Sequence, residues 1–142
     1  VIEKDFPEIL ELAKQNPDTV WTEQDLLDRL KQKQKNCVAM LSERNDVIEA
    51  FIVYELHPHR FHIMNLVVRE DLRLQGIGRE MIAKLIGKLH PEHRDRITLT
   101  IPEDNVTGQV FFRAMGFRAI QILKATNEGE RDTYIMRYKT NP

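Results

Sequence analysis

Apolar and polar positions along the chain change period several times, and each change predicts an element. Asp5-Phe6-Pro7 reads as an N-cap with proline in the first turn, opening a helix through EILELAKQ that Asn16-Pro17-Asp18 ends. Trp21 precedes Thr22, a cap for EQDLLDRLKQKQK, whose Leu26, Leu27 and Leu30 share one face. The runs NCVAMLSE and VIEAFIVYEL flank Arg44-Asn45-Asp46 and predict a hairpin, and HPHR turns the chain into a third strand, FHIMNLVV, at 61–68. From Gly76 to Leu89 the period becomes helical, with Ile77, Met81, Ile82, Leu85 and Leu89 on one stripe. RITLTI at 96–101 is a strand, and NVTGQVFFRAM at 105–115 is a helix ended by Gly116. FRAIQILKAT and DTYIMRYK close the chain as two strands around NEGER. The expected order is α-α-β-β-β-α-β-α-β-β, one α/β domain over residues 1–142 with a mixed central sheet flanked by helices.

Composition narrows the function classes. Of 142 residues 42% are apolar and 30% charged, the balance of a soluble globular chain. A net charge of −1 supplies no global field toward nucleic acid or an anionic membrane, so neither is an expected partner. No apolar run approaches the roughly 18–20 residues that span a bilayer. The single cysteine, Cys37, lies in a strand-like run and reads as a buried structural thiol, which suits a reducing cytoplasm.

Candidate chemistry concentrates where the third strand meets the third helix. NLVVREDLRLQGIGREM passes from an apolar run to two glycines that open an amphipathic pattern. The first N–H groups of a helix have no internal acceptor and the helix dipole is positive there, so glycines at such a start let a phosphate approach the backbone. A nucleotide-hydrolase loop would need Lys-Ser or Lys-Thr after its last glycine, where Arg79-Glu80 stands. A dinucleotide fingerprint would need a third small residue where Met81 stands. A helix start with incidental glycines is the other reading of the segment alone.

What remains, Arg73-Leu74-Gln75-Gly76-Ile77-Gly78, resembles the coenzyme A pyrophosphate loop of the GNAT superfamily of N-acetyltransferases. A second segment, NVTGQVFFRAMGF, begins at Asn105 and is similar to that family's second signature, an Asn leading a short helix that ends in Gly-Phe. Trp21, NLVV and NEGERD resemble most the bacterial ribosomal-protein alanine N-acetyltransferase type. The resemblance implies a GNAT fold, with the family's first strand truncated or absent before Asp5. It implies acetyl-CoA as cosubstrate, a primary amine as acceptor (a protein N-terminus or a small amine), direct attack on the thioester and no metal. It also implies that Leu66, Val67 and Val68 form the strand edge along which pantetheine lies. Arg73, Leu74, Gln75, Gly76, Ile77, Gly78 and Arg79 would hold the pyrophosphate, Asn105 would bond near the pantetheine, and Phe112 would pack beside the thioester. Lys84 and Lys88 are expected on a solvated face. A coenzyme-binding module with weakened catalysis is the alternative, and either a monomer or a homodimer is compatible.

The catalytic pair expected from the resemblance is missing. The ribosomal-alanine type has a glutamate five residues before the motif Asn and a tyrosine seven after it, where this chain carries Thr100 and Phe112. Replacement candidates are His62 as base, expected by period two to share a face with Met64, Leu66 and Val68, and Tyr134 as acid on the final strand. His62 matches one of two histidines on the same strand in arylalkylamine N-acetyltransferases. Glu103 and Asp104 are expected to serve the turn before Asn105. His57, His59 and His62 lack the fourth ligand and firm spacing that zinc wants. An α-amine, partly neutral near pH 7, is better suited than a lysine to an enzyme with a weak base. Glu23, Asp25 and Asp28 are expected on a solvated helix face near the acceptor cleft.

Overall fold

The computed structural model describes residues 5–14, 23–31, 36–72 and 75–140. Within them the element order is α1 (Phe6–Ala13), α2 (Glu23–Leu30), β1 (Cys37–Arg44), β2 (Val47–Leu56), β3 (Arg60–Val68), a short 3₁₀ turn (Glu70–Leu72), α3 (Ile77–Ile86), β4 (Arg96–Pro102), α4 (Val106–Ala114), β5 (Arg118–Leu123) and β6 (Thr133–Lys139). This is the predicted succession, with α1, α2 and α3 each ending a few residues earlier than periodicity alone suggests. Asp5 stands at the N-cap of α1 but supplies no side-chain capping bond. The expectations placed on Asn16-Pro17-Asp18, Trp21, Thr22, Arg73, Leu74 and whatever strand precedes Asp5 lie outside the described residues, as do those on the side chains of Glu23 and Asp25.

The six strands form one sheet in the order β1-β2-β3-β4-β6-β5. Asn45 and Asp46, at φ 53° and 63°, close the first hairpin, the two-residue left-handed turn whose twist matches that of paired strands. All pairings are antiparallel except β3 with β4. The helices cover the two faces separately. On one, α3 and α4 bury Ile77, Met81, Ile82, Leu85 and Phe112 against Ala50, Ile52, Tyr54, Phe61, Ile63, Ile97, Leu99, Ile101 and Met136. On the other, α1 and α2 pack Phe6, Ile9, Leu12 and Leu26 against Ile48, Phe51, Val53 and Val67, with the predicted buried thiol of Cys37 among them. Glu8 ties the second layer to the sheet by accepting the N–H of Ile48 at 2.7 Å.

Two irregularities shape the centre of the sheet. β2 carries an extra residue opposite Ser42 and Glu43, and there the buried Glu49 carboxylate accepts from Ser42 Oγ at 3.1 Å and pairs with Arg44 at 3.2 Å. β3 carries an extra residue where its partners pass from Val53–Asn65 to Tyr54–Ile63. An inserted residue reverses the alternation of faces beyond it. Phe61 and Ile63 therefore share the α3/α4 face with Leu66 and Val68, while Met64 and Val67 turn toward α1 and α2. The expectation that His62 shares a face with Leu66 and Val68 is corrected: the bulge at Met64 moves those two residues to the opposite side.

Gly116 follows α4 at φ +99°, and a Cβ built there would lie 3.1 Å from Tyr138 Cε2. Gly116→Ala is expected to cost about 1–2 kcal/mol from the left-handed backbone alone, lowering the melting temperature by about 3–6 °C. A thermal melt followed by circular dichroism checks this; an unchanged midpoint would refute it.

Candidate active site

The site is built around a ladder that stops early. β3 and β4 pair over four residues only, Arg60↔Arg96 to Ile63↔Leu99. β2 stays paired with β3 as far as Val68, and β6 with β4 as far as Pro102. The sheet therefore opens a wedge between the end of β3 and the end of β4 without losing its outer strands. The amide of Arg69 donates to Glu49 O at 2.8 Å, toward β2. Amides alternate direction along an extended strand, so the N–H and C=O of Leu66 face the wedge.

At the mouth of the wedge, Gly76 takes φ +84° at the N-cap of α3. A Cβ there would meet nothing within 4 Å, so the requirement for glycine is conformational and the space beside it is open. The first α-helical bond runs from Glu80 N–H to Gly76 O, which leaves the amides of Ile77, Gly78 and Arg79 without intrahelical acceptors. Gln75, Gly76 and Arg79 are exposed, while Ile77 anchors the turn in the core. Gly78 has Phe111 Cζ and Val68 Cγ2 each 3.5 Å from an ideal Cβ. The protein's own atoms thus leave room for a methyl group, and only a longer side chain would be driven over the free amides. Lys84 and Lys88 are exposed, as expected of a solvated face.

Across the wedge, Asn105 caps α4, its Oδ1 accepting from Gly108 N–H at 2.9 Å. A Cβ at Gly108 would fall 2.7 Å from Ile101 Cδ1, so a larger residue there would require that side chain to shift. Phe112 is buried in an aromatic stack, its ring centroid 5.0 Å from Phe111 and 5.2 Å from Phe117. Of the pair it is Phe111, which sequence reasoning missed, that packs beside Gly78 and Val68. Glu103 and Asp104 lie in the turn before Asn105, where Asp104 pairs with Arg131 at 2.9 Å.

The two catalytic candidates are not brought together. His62 pairs with Thr98 one step before the ladder ends, on the face opposite α3 and α4, and Thr100 is exposed two residues further along that face. Tyr134 pairs with Ile101 and packs on the α3/α4 side. There it lines a cavity of about 360 Å³ with Gln109, Arg113, Arg118, Ala119 and Met136. The register of β4 with β6 sets the Tyr134 side chain on the face of the sheet opposite that of His62.

His62 is held by a buried partner. Its Nδ1 lies 2.7 Å from Thr98 Oγ1, a buried hydroxyl that Arg60 Nη1 also reaches at 3.4 Å. His57 stands edge-on with a ring separation of 6.4 Å, itself bonded to Glu55 at 3.1 Å. Burial lowers the His62 pKa below its ordinary 6.5, with Arg60 and His57 adding to the drop and Glu55 opposing it. His62 is therefore neutral at pH 7, the state a proton acceptor requires. Among the described residues no three His, Cys, Asp or Glu side chains are disposed to hold a metal ion. No described helix is long and apolar enough to cross a membrane.

Comparison with known proteins gives the family and the fold. The description of the Acetyltransferase (GNAT) family matches residues 6–117. The chain belongs to that family, whose members transfer an acetyl group from acetyl-CoA to an amine. The fold is similar to that of the ribosomal-protein-S18-alanine N-acetyltransferase of Escherichia coli, with a TM-score of 0.84 at 19% identity over 100% of this chain and 92% of that one. Ard1 of Thermoplasma volcanium gives a TM-score of 0.84 at 17% identity over 100% and 95%. Arabidopsis thaliana Naa50, solved with a bisubstrate analogue CoA-Ac-MVNAL, gives 0.78 at 19% identity over 98% and 95%. Among curated protein sequences none matches.

The depressed His62 pKa carries a sign. Between the folded value and 6.5 the unfolded chain binds more protons, so the contribution of His62 to stability is present above pH 6.5 and lost as pH falls through the folded value. Imidazole NMR should show His62 titrating below its ordinary 6.5, with Glu55→Gln lowering its midpoint further and Arg60→Gln raising it. An ordinary midpoint in the native protein would refute the assignment.

Proposed function

We propose that the chain acetylates the α-amine of a protein N-terminus, or a small amine of similar acidity, with acetyl-CoA bound along the wedge. The observation that carries this reading is the early end of the β3–β4 ladder beside a glycine-led helix start. Leu66 faces the wedge with its backbone, so an amide-bearing arm can bond there as an added strand. Leu66–Val68 form that edge, and Gln75 to Arg79 offer helix-terminal amides and a positive dipole to a pyrophosphate, with Arg79 adding charge. The same reading extends the loop back through Arg73 and Leu74. Asn105 holds the start of α4 against the opposite wall, and the Phe111–Phe112 pair supplies an apolar surface near the thioester.

The chemistry then needs one proton removed from the attacking ammonium or amine, and a donor for the developing oxyanion. His62 sits at the vertex of the wedge on the face that α3 and α4 leave free, where an amine can approach opposite the coenzyme. The neutral imidazole takes the proton as the C–N bond forms; collapse of the tetrahedral adduct then breaks the C–S bond and releases the thiolate. A base of depressed pKa suits an α-amine near pKa 8 better than a lysine near 10.4, because more of the former is already neutral. A cytoplasmic location fits the lone buried thiol. Thr100 and Phe112, in place of a carboxylate and a phenol, favour a second reading in which the domain binds the coenzyme but transfers acetyl slowly or not at all.

Calorimetry with acetyl-CoA and CoA, followed by thiol release with N-terminal peptides, tests the reading. Native protein should bind both ligands, and Gly78→Glu should abolish binding while the circular dichroism spectrum is kept. His62→Gln should leave binding intact and lower kcat by roughly 10²–10⁴. Binding without thiol release from any amine would favour the second reading, and no binding would refute both.

A further inference from the structure

The contact between His62 and Thr98 does more than fill space. Thr98 is buried in the middle of β4 on the face away from α3 and α4, and the parallel register sets it directly beside His62. Its hydroxyl is 2.7 Å from Nδ1 of the imidazole, while Arg60 Nη1 approaches the same oxygen at 3.4 Å. A guanidinium is a donor only, and a hydroxyl oxygen can accept twice. Which ring nitrogen carries the proton decides whether the other can accept one. A free histidine side chain favours the Nε2–H form, which would leave no basic nitrogen pointing away from β4.

We propose that Thr98 is a positioning residue for the proposed acetyl transfer, accepting the Nδ1 proton of His62 and so fixing the tautomer in which Nε2 is the basic nitrogen. The inference rests on the reading of His62 as the base. The ring nitrogens diverge, so with Nδ1 held against β4 the lone pair of Nε2 is directed away from that strand. Arg60 occupies the second acceptor site of the Thr98 hydroxyl and keeps it oriented. No bond to carbon changes in this step: Thr98 exchanges nothing, and the proton from the amine goes to Nε2 of a ring whose Nδ1–H is already placed. The charged and titratable groups around the ring are Arg60 on the same strand, Glu55 on β2, His57 in the following turn and Arg137, which pairs with Thr98 from β6.

Nitrogen-15 imidazole NMR of the whole chain at pH 8 reads the tautomer without need of substrate. The native protein should show His62 in the Nδ1–H form, and Thr98→Val, close to isosteric, should return it to the Nε2–H form. Thr98→Ser should restore the native pattern. In steady-state assays Thr98→Val should lower kcat by roughly tenfold or more, leave KM for acetyl-CoA unchanged and shift the acid limb of the pH profile, and Thr98→Ser should recover most of the rate. A native His62 in the Nε2–H form, or a Thr98→Val variant with native tautomer and native kcat, would overturn the proposal. If the native chain turns over no amine, the acetyl-transfer reading falls by itself. The tautomer measurement then decides alone, a native Nδ1–H form lost in Thr98→Val supporting the Thr98 contact and any other result overturning it.

Discussion

Everything at the site depends on where the parallel ladder between β3 and β4 ends. A sheet strand that loses its neighbour normally becomes an edge and a liability. Here both strands remain held from outside, β3 by β2 and β4 by β6, so the wedge between them persists without unravelling either half. The bulge at Met64 falls at the same level. It adds local twist to β3 and reverses which side chains meet α3 and α4. A single extra residue thereby aims Leu66 and Val68 at one layer while His62 stays with the other.

In the proposed reading that division separates binding from chemistry. The α3/α4 face gathers the glycine-led helix start, the Asn105 cap and the Phe111–Phe112–Phe117 stack. The α1/α2 side of the same wedge carries His62, Thr98 and Thr100. Reactants that approach from opposite faces of a sheet meet only where the sheet is open, and the vertex is the one level at which His62 borders the opening. Burial keeps the imidazole neutral, Arg60 and His57 reinforce this, and Glu55 restrains it. The net result is an imidazole held in the neutral state.

Much of the fold was legible because it rests on local physics. The helical stripe from Ile77 to Leu85, the alternation in RITLTI and the hairpin around Arg44-Asn45-Asp46 each follow from interactions within a few residues. Gly76 at the N-cap of α3, Gly78 in its first turn and the Asn105 cap were legible for the same reason, since helix ends must satisfy amides near in sequence. The faces of β3 were not. Period two holds only while the ladder is regular, and nothing in FHIMNLVV announces that one residue is inserted against β2. Phe111 beside Gly78, and Tyr134 on the far side of the sheet from His62, depend likewise on helix rotation and strand register.

The sequence by itself therefore determined the succession of elements, the family and the glycine-led start of α3, all properties of short segments whose hydrogen bonds close locally. Only the tertiary structure decided which side chain becomes a partner of His62. Thr98 lies 36 residues away in the chain, and parallel strands joined through a helix acquire their register from long-range packing, not from either strand alone.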